Sequence, residues 1–421
     1  MRRTRQCLVA VAGAMTLAAL AHAQGGVDAT ARWWKGNTHT HTLWSDGDGA
    51  PELVAKWYRD HDYDFLVLSD HNILSVGEKW FAVVDGGRSR LTTERLEELR
   101  EVFGDDHVVT RERADGGGLE MRLKTLDELR TQFEAPGEFI FIQGEEITDS
   151  FARRPVHINA ANIEELIEPQ HGESVKDTIE RNLDAVVEHG RSIGRPVFAH
   201  VNHPNFQWGL TVEDLAAIRG ENFFEVYNGH SAVRNYGDDE HPSTEAMWDI
   251  ANTMRLTDLG LPLLFGVATD DSHEYHEYGV GKTNPGRGWI MVRAGSLDAD
   301  TIIQAIDDGD FYASSGVTLR EVRVADGKYL VEVDAEEGVG YTTQFIGTRR
   351  KPGDTAHREA AEHGPIGEVF LETTENPAVY EFTGEELFVR AKIISSRLHP
   401  NPYAEGDYEV AWTQPVEPPD R

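Results

Sequence analysis

Short apolar strands alternate with amphipathic helices over the first three quarters of the chain, and this alternation limits the fold more than any other feature. The helical pattern is clearest in 175–193, where Ile179, Leu183, Val186 and Val187 lie on one helix face. A second helix is predicted over 296–308. The predicted strands of this part are 34–42, 65–69, 139–147, 156–161, 196–201, 223–227, 263–269 and 289–293. Such alternation predicts an α/β fold with a parallel sheet covered by helices, most simply closed into a barrel.

The sequence pattern changes after Gly316. Six short alternating runs follow, separated by Gly, Pro, Asn and Asp, at 317–324, 329–333, 368–372, 378–382, 387–394 and 408–412. They predict an all-β, immunoglobulin-like sandwich over 317–421. The chain of 421 residues therefore has room for two domains, the first spanning 24–316. Within it, the polar segment 77–136 is predicted to be an insertion that lies over one end of the barrel.

The N-terminal residues 1–23 predict a secretory signal peptide. Three arginines within the first five residues precede a short apolar run at 8–20, and the small-residue pattern that ends at Ala23 fits a cleavage site. The apolar run is shorter than the ~20 residues that a membrane-spanning helix needs. We therefore expect a periplasmic or secreted protein without a membrane anchor, and Cys7, the single cysteine, is removed with the signal.

The charge balance limits the partners of the protein. Lys and Arg number 40 against 73 Asp and Glu, which gives a formal net charge of −33 at pH 7. A field of this sign repels a polyanion, so no nucleic-acid footprint is expected. A metal site can still accept one phosphate group, because the charge of the ion dominates at close range. A small anionic substrate is compatible with this balance, and the oligomeric state is left open.

Histidines and carboxylates lie at or near the ends of six of the predicted strands. His39 and His41 are two residues apart on a strand, so both imidazoles leave the same face. The other candidates in chain order are Asp46, Asp70, His71, Glu145, Glu146, His157, His200, His203, Asp270, Asp271 and His273. The carboxyl ends of parallel strands meet at one mouth of a barrel, so these groups are expected to lie together. Imidazole and carboxylate without thiolate form a donor set for zinc, manganese or iron.

Several of these candidates have an ordinary structural interpretation. A single histidine near a strand end is more often a hydrogen-bonded polar residue than a metal ligand. The whole set points to a cation, because burying many unpaired polar groups together is costly without one. The sequence leaves open whether His200 or His203 is the ligand. Glu145 and Asp270 are interpreted as residues that orient ligands or face the other side of their strands.

The motifs HTHTLWSDG, SDHN, GEEIT, the single His157, NHPN and DDSH occur in this order. In that order they resemble the PHP (polymerase and histidinol phosphatase) superfamily of metal-dependent phosphoesterases. The resemblance covers roughly residues 33–316, and it is closest to the secreted, carbaryl-hydrolase-type branch, whose members often carry an extra β domain. It implies a distorted (β/α)7 barrel, which agrees with the alternation of strands and helices.

The resemblance also implies a centre of two or three divalent ions, with zinc, manganese or iron as candidates. The implied ligands are His39, His41 and Asp271 for the first ion, Glu146 as a bridge to the second, His157 and His203 to complete the second, and Asp46, His71 and His273 for a third. The family pattern favours Glu146 over Glu145 and Asp271 over Asp270. The third ion is the least constrained, because some members use two metals.

From this centre we predict hydrolysis of a phosphomonoester or phosphodiester by a hydroxide held between two ions ~3.5–4 Å apart. Glu146 and Asp271 would hold the ions at the reacting group. Arg154, which is next to Arg153 in the sequence, would neutralise negative charge on that group. A solvated arginine pair is the alternative interpretation. His230, which follows another strand end, would protonate the leaving group.

Two other functions are compatible with the same residues. The first is hydrolysis of a carboxylester, carbamate or amide with the same metals, because such a centre also activates water for attack on a carbonyl. The second is a periplasmic protein that holds metal without turnover. The expected export disfavours the polymerase proofreading and histidinol phosphatase roles that PHP proteins have in the cytosol.

Overall fold

The computed structural model describes residues 31–351 and 363–419. The predicted signal peptide, its cleavage site and Cys7 lie outside the described residues. Within the described ranges, no helix has the length and apolar character needed to cross a membrane.

Strands and helices follow one another along the described chain in a mixed order. They are β1 (Arg32–Asn37), α1 (Pro51–Asp60), β2 (Phe65–Leu68), β3 (Trp80–Ala82), α2 (Thr93–Phe103), β4 (Thr110–Glu112), β5 (Leu119–Arg122), α3 (Leu126–Phe133), β6 (Ile140–Phe151), β7 (Arg154–Ala161), α4 (Val175–Ile193), β8 (Phe198–Val201), α5 (Val212–Ala216), β9 (Phe223–Asn228), α6 (Thr244–Met254), β10 (Phe265–Thr269), β11 (Trp289–Ala294), α7 (Ala299–Asp307), β12 (Phe311–Ser314), β13 (Leu319–Ala325), β14 (Lys328–Val333), β15 (Tyr341–Arg349), β16 (Glu368–Thr373), β17 (Ala378–Glu381), β18 (Glu386–Leu398) and β19 (Tyr408–Thr413).

One large mixed sheet connects most of the strands, in the order β10-β9-β8-β7-β6-β2-β1-β11-β12-β19-β18-β15-β16. The predicted α/β class is confirmed, but the sheet is open and the described residues form no closed barrel. A single parallel bridge, Thr40 to Ser272, joins the segment after β1 to the segment after β10. Asp271 has a φ of 47°, outside the extended region that a continuous ladder requires.

The sheet is parallel on both sides of β7, and β7 itself is antiparallel to its two neighbours. The prediction of a parallel sheet is therefore wrong at β7, and it is also wrong at β11, which pairs antiparallel with β1. β6 and β7 are joined only by Ala152 and Arg153, whose φ angles of 49° and 68° are both left-handed. Such a two-residue turn makes a hairpin, whereas a parallel connection needs a crossover of a dozen or more residues.

The helices cover the sheet through the apolar faces that the sequence indicates. α4 has the predicted bounds, because the Ser174 side chain caps its first turn and Gly194 ends it in a left-handed conformation. Its buried residues Ile179, Leu183 and Val186 belong to the largest hydrophobic core. The helix predicted over 296–308 is confirmed as the shorter α7, which begins after the Asp298 cap.

The C-terminal strands form two antiparallel layers. β13, β14 and β17 form one sheet, and β15, β16, β18 and β19 extend the large sheet. The two layers share a core that includes Val331, Phe345 and Ala391. Tyr312 of β12 pairs with Thr413 of β19, so the large sheet continues across the predicted domain boundary. The immunoglobulin-like topology stays a prediction.

The segment predicted to be an insertion has a small sheet of its own, β3-β5-β4, together with α2 and α3. Its core residues Leu96 and Met121 pack in one cluster with Leu43 and Trp44. The segment therefore lies against the loop that carries Asp46.

Candidate metal centre

Backbone hydrogen bonds place the segment after β1 between its two neighbours. The Asp271 N–H donates to the His39 carbonyl at 3.0 Å, and the His41 N–H donates to the Ser272 carbonyl at 3.1 Å. β1 ends at Asn37, so His39 and His41 lie beyond the strand on which they were predicted. Their imidazoles nevertheless point to one place, with the two Nε2 atoms 3.1 Å apart.

Four side-chain atoms surround that place. Asp271 Oδ1 lies 3.2 Å from the Nε2 atoms of both His39 and His41. Glu146 Oε2 lies 3.5 Å from His39 Nε2 and 3.4 Å from His41 Nε2. Ligands at the usual 2.0–2.1 Å from a tetrahedral zinc ion are about 3.3–3.4 Å from one another. The two imidazole nitrogens therefore have the spacing of metal ligands, both from each other and from each carboxylate oxygen.

The surroundings of Glu146 support the same interpretation. Its carboxylate is fully buried, and Oε2 faces imidazole nitrogens of His39, His41 and His71. A buried carboxylate is costly unless positive charge compensates for it, and a bound cation would do so. His71 Nδ1 lies 2.7 Å from the same oxygen, and His157 Nδ1 lies 2.9 Å from Oε1.

All nine predicted ligands lie in this cluster. The described chain contains four overlapping groups that can hold a metal ion, namely His39, His41 and Glu146; His39, His203 and Asp271; His71, Glu146 and His157; and His41, Asp46, His71 and His273. These groups contain the nine residues and no other. They overlap differently from the three predicted sites, since His71 is grouped with Glu146 and His157. The assignment of ligands to individual ions stays a prediction.

The neighbouring acidic and histidine residues face elsewhere. Successive side chains on a strand point to opposite faces, so Glu145 points away from Glu146 and accepts the Ile167 N–H at 2.6 Å. Asp270 accepts hydrogen bonds from Asn37, Tyr58 and the backbone of residues 286–288. His200 Nε2 lies 3.1 Å from Thr38 Oγ1, whereas His203 Nε2 is 3.3 Å from Glu146 Oε1.

The buried carboxylates of the cluster are stabilised by positive charge. Burial opposes ionisation of Glu146, but His71, His157 and His39 outweigh it and hold its pKa well below the usual value. Burial likewise opposes protonation of His71, yet Glu146 and Asp46 raise its pKa to about 11. Protons or divalent cations can supply the positive charge, and imidazole nitrogens and carboxylate oxygens without sulfur suit zinc, manganese or iron.

Two predicted ligands have backbone conformations that non-glycine residues rarely adopt. His203 has a φ of 24° and Asp271 a φ of 47°. Such conformations cost of order 1–3 kcal/mol each and cluster at functional sites. The surrounding hydrogen bonds hold them in place, for example the 2.7 Å bond from the His203 N–H to Glu225.

Three buried residues that support the ligands were not predicted from the sequence. Glu225 Oε1 lies 2.6 Å from His39 Nδ1, which assigns the proton to Nδ1 and leaves Nε2 free to bind a metal. Asn202 donates to Glu146 at 2.9 Å, and Asn228 donates to Asp271 at 3.1 Å. One signal for Glu225 was present, since it is the single charged residue of the strand FFEVYN, all of which is buried.

The two predicted substrate-contacting residues lie in different surroundings. Arg154 donates to Asp214 at 2.8 Å and to the Gly209 carbonyl at 2.7 Å, so it binds the segment at α5. His230 lies beside the cluster, with its ring centroid 5.1 Å from that of His273. Burial lowers its pKa to about 4, and its Nδ1 accepts the Ala232 N–H at 3.0 Å. The neutral His230 ring therefore carries its proton on Nε2.

The buried carboxyl of Glu145 predicts a pH dependence of stability. Its Oε2 has no hydrogen-bond partner in the described structure, and burial raises its pKa from 4.5 to about 8. Between these values the native state holds a proton that the unfolded state lacks. We therefore expect the free energy of unfolding to fall as pH rises through this window, by up to about 1.4 kcal/mol per pH unit. Urea unfolding between pH 5 and 8 measures it.

Glu145→Gln is the matched variant for this measurement, because glutamine keeps the acceptor for the Ile167 N–H but does not ionise. The decline of stability with pH should be shallower in Glu145→Gln than in the wild type. Equal slopes for the two proteins would contradict the raised pKa.

No protein-family model and no curated protein matches the chain. Three solved structures resemble it in part. A two-domain protein from Bacteroides vulgatus, which contains a predicted PHP-like metal-dependent phosphoesterase, is 15% identical with a TM-score of 0.39, over 92% of this chain and 96% of that one. PsfC from Pseudomonas syringae is 12% identical with a TM-score of 0.34, over 65% and 88%. An amidohydrolase from Chromobacterium violaceum is 15% identical with a TM-score of 0.27, over 57% and 88%.

Proposed function

We propose that this chain is a metal-dependent hydrolase of phosphomonoesters or phosphodiesters, of the PHP superfamily and its secreted, carbaryl-hydrolase-type branch. The observation that carries the proposal is the arrangement of His39 Nε2 and His41 Nε2, which lie 3.1 Å apart and each within 3.5 Å of both Asp271 Oδ1 and Glu146 Oε2, as metal ligands do. Five further predicted ligands lie around it. A purely structural ion needs a closed shell of about four ligands, whereas nine in overlapping groups suit a centre of two or three ions.

Bound divalent ions would supply Lewis-acid activation of water and charge stabilisation at the phosphorus centre. Glu146 reaches two sides of the centre, because Oε2 faces His39 and His41 while Oε1 faces His157 and His203. A carboxylate in this position holds two neighbouring ligand groups at a fixed separation. Glu225 fixes the orientation and the tautomer of His39 from behind.

His230 is the residue that we expect to contact the leaving group. Its proton lies on Nε2, because Nδ1 accepts the backbone N–H of Ala232. A neutral imidazole donates a hydrogen bond from Nε2 to an oxygen of the substrate and stabilises charge that develops there. Arg154 would have to exchange Asp214 for the substrate in order to act as a phosphate clamp.

The phenyl ring of Phe206 beside the cluster favours a second candidate function, the hydrolysis of uncharged carboxylesters or carbamates. The ring centroid of Phe206 lies 5.1 Å from that of His203, 6.2 Å from that of His157 and 6.1 Å from that of His230. A phenyl ring at this place contacts an uncharged substrate group better than a phosphate.

One assay separates these functions. The wild-type protein is loaded with Mn²⁺ or Zn²⁺ and tested side by side with p-nitrophenyl phosphate, bis-p-nitrophenyl phosphate and p-nitrophenyl acetate. We expect metal-dependent release from at least one phosphate ester, faster relative to the background reaction than release from the acetate. Release from the acetate alone would support the ester and carbamate function. Protein that binds metal but hydrolyses none of the three would be a metal-holding binding protein.

A further inference from the structure

The C-terminal strands contact the loops of the candidate metal centre through the segment between β18 and β19. Asn401 lies in this segment, and it reaches across to Arg287 and to Pro285. Its backbone carbonyl accepts from Arg287 Nε at 3.3 Å and its Oδ1 accepts from Arg287 Nη2 at 3.4 Å. Its Nδ2 donates to the Pro285 carbonyl at 3.1 Å. A residue of the C-terminal part is thus bonded to the chain just before β11.

Arg287 has no exposed surface, and the hydrogen bonds of its guanidinium go to amide oxygens. Besides Asn401, it donates to the carbonyls of Gly229, Gly279 and Lys282, with distances of 2.9 Å to the first two. A buried guanidinium keeps its charge, so each of these oxygens compensates for lost hydration. Removing one acceptor leaves a buried charged donor unsatisfied.

The carbonyls that Arg287 binds belong to two loops of the centre. Gly229 directly precedes His230, and a Cβ on Gly229 would lie 2.8 Å from Arg287 Cβ, so the backbones are in close contact. Gly279 and Lys282 lie in the loop that follows His273, and the His273 N–H donates to the carbonyl of Thr283 in this loop at 2.9 Å.

The main chain of Arg287 adds a third connection. Its N–H donates to Asp270 Oδ1 at 2.6 Å, and Asp270 directly precedes the predicted ligand Asp271. The side chain and the backbone of Arg287 therefore hold the neighbours of three residues of the centre, His230, Asp271 and His273.

We propose that Asn401 is a positioning residue, which acts through Arg287 on the loops that carry His230, Asp271 and His273. On this view the C-terminal β strands complete the candidate metal centre, since they supply one of the bonds that fix its geometry. The inference deepens the proposed function and rests on it for the roles of these three residues. A displacement of about 1 Å at a reacting group costs up to 10²-fold in rate, so a remote hydrogen bond of this kind has a measurable effect.

The test compares Asn401→Ala with Gln414→Ala. Gln414 is buried and also joins the C-terminal part to the large sheet, with hydrogen bonds of 2.8 Å to the N–H and the carbonyl of Gly266. Gly266 lies near the start of β10, at the other end from Asp270 and Asp271. The control therefore breaks two hydrogen bonds of the same kind at the same junction, away from the centre. Asn401→Ala removes the side-chain acceptor of Arg287 Nη2 and the donor to Pro285 but keeps the backbone carbonyl. Asn401→Asp keeps the side-chain acceptor and serves as the conservative variant.

Four quantities are measured for each full-length variant: the Tm, the affinity for Mn²⁺ alone by calorimetry, and kcat and KM with the best substrate of the p-nitrophenyl assay. For Asn401→Ala we expect a Mn²⁺ affinity and a kcat that are each about 10-fold lower, with a small change in KM, because supporting residues around metal ligands have effects of 10- to 100-fold. Asn401→Asp should restore most of both. Gln414→Ala should lower the Tm by a similar amount and leave Mn²⁺ affinity and kcat close to those of the wild type.

The proposal would be overturned if Asn401→Ala kept the Mn²⁺ affinity and the kcat of the wild type. It would also be overturned if Gln414→Ala lost as much of both as Asn401→Ala does, because such a result would indicate that Asn401 contributes to stability alone. Failure of the proposed function has a different signature, namely a wild-type protein that binds Mn²⁺ without hydrolysing any of the three substrates. In that case the Mn²⁺ affinities of the variants still decide whether Asn401 positions the centre.

Discussion

Replacing His39 and His41 together by alanine is expected to abolish both bound metal and hydrolysis. The double variant removes the two imidazole nitrogens that lie 3.2–3.5 Å from the carboxylate oxygens of Asp271 and Glu146, and His41 also belongs to the group with Asp46, His71 and His273. A catalytic metal supplies several kcal/mol of transition-state stabilisation, so its loss lowers kcat/KM by about 10³-fold or more. Elemental analysis of the purified protein measures the metal, and the p-nitrophenyl esters measure turnover.

The matched control for this experiment is the double variant His171→Ala with His363→Ala. It also removes two imidazoles, but from the surface, since the His171 side chain is 78% exposed and His363 is exposed as well. The control should keep its metal and its activity. Metal content and turnover unchanged in His39→Ala with His41→Ala would exclude the proposed centre.

Arg390→Ala is expected to lower the stability of the protein strongly. The guanidinium of Arg390 in β18 binds Asp249 of α6 through two hydrogen bonds of 2.7 Å each, and the two side chains are 2% and 7% exposed. Truncating one partner leaves a buried carboxylate without its counter-ion, which costs about 3–5 kcal/mol. Urea unfolding of the full chain measures the loss.

A second ion pair on the same strand provides the control. Arg397 binds Glu336 in the same two-fold manner, at 2.9 and 2.7 Å, but these side chains are 39% and 58% exposed. Arg397→Ala should cost far less stability than Arg390→Ala, because water screens an exposed pair. Replacing both buried partners, Arg390→Met with Asp249→Leu, should recover much of the stability. Equal losses for Arg390→Ala and Arg397→Ala would contradict the role of burial.

The sequence is most informative where a local pattern determines the outcome. The bounds of α4 follow from its apolar face, its serine cap and the glycine that ends it. The choice of Glu146 over Glu145 came from the family pattern, and the alternation of side chains along β6 gives its physical reason. The nine predicted ligands were chosen as a set because their order along the chain resembles a known pattern; the structure places them in overlapping groups, and their role as ligands stays a prediction.

Features that depend on contacts between residues far apart in the chain could not be predicted from local sequence patterns. β15 was not predicted, because it buries Thr343, Gly347 and Thr348 beside its apolar residues and so lacks an alternating pattern. The antiparallel direction of β7 depends on two left-handed residues, Ala152 and Arg153, which no sequence rule identifies as a turn. The partners of Arg154 and Arg287 come from segments far along the chain, which only the fold brings together.

The hairpin of β6 and β7 limits how the rim of the centre can vary in length. Thr148 pairs with His157, and three further residue pairs continue to the tip at Phe151 and Arg154. Adding or deleting one residue in each strand at the tip changes the length of the hairpin and keeps Glu146 and His157 on their present faces. A single-residue change in one strand alone turns His157 to the opposite face. Insertions and deletions at the tip of this hairpin are therefore expected in pairs, with one in each strand.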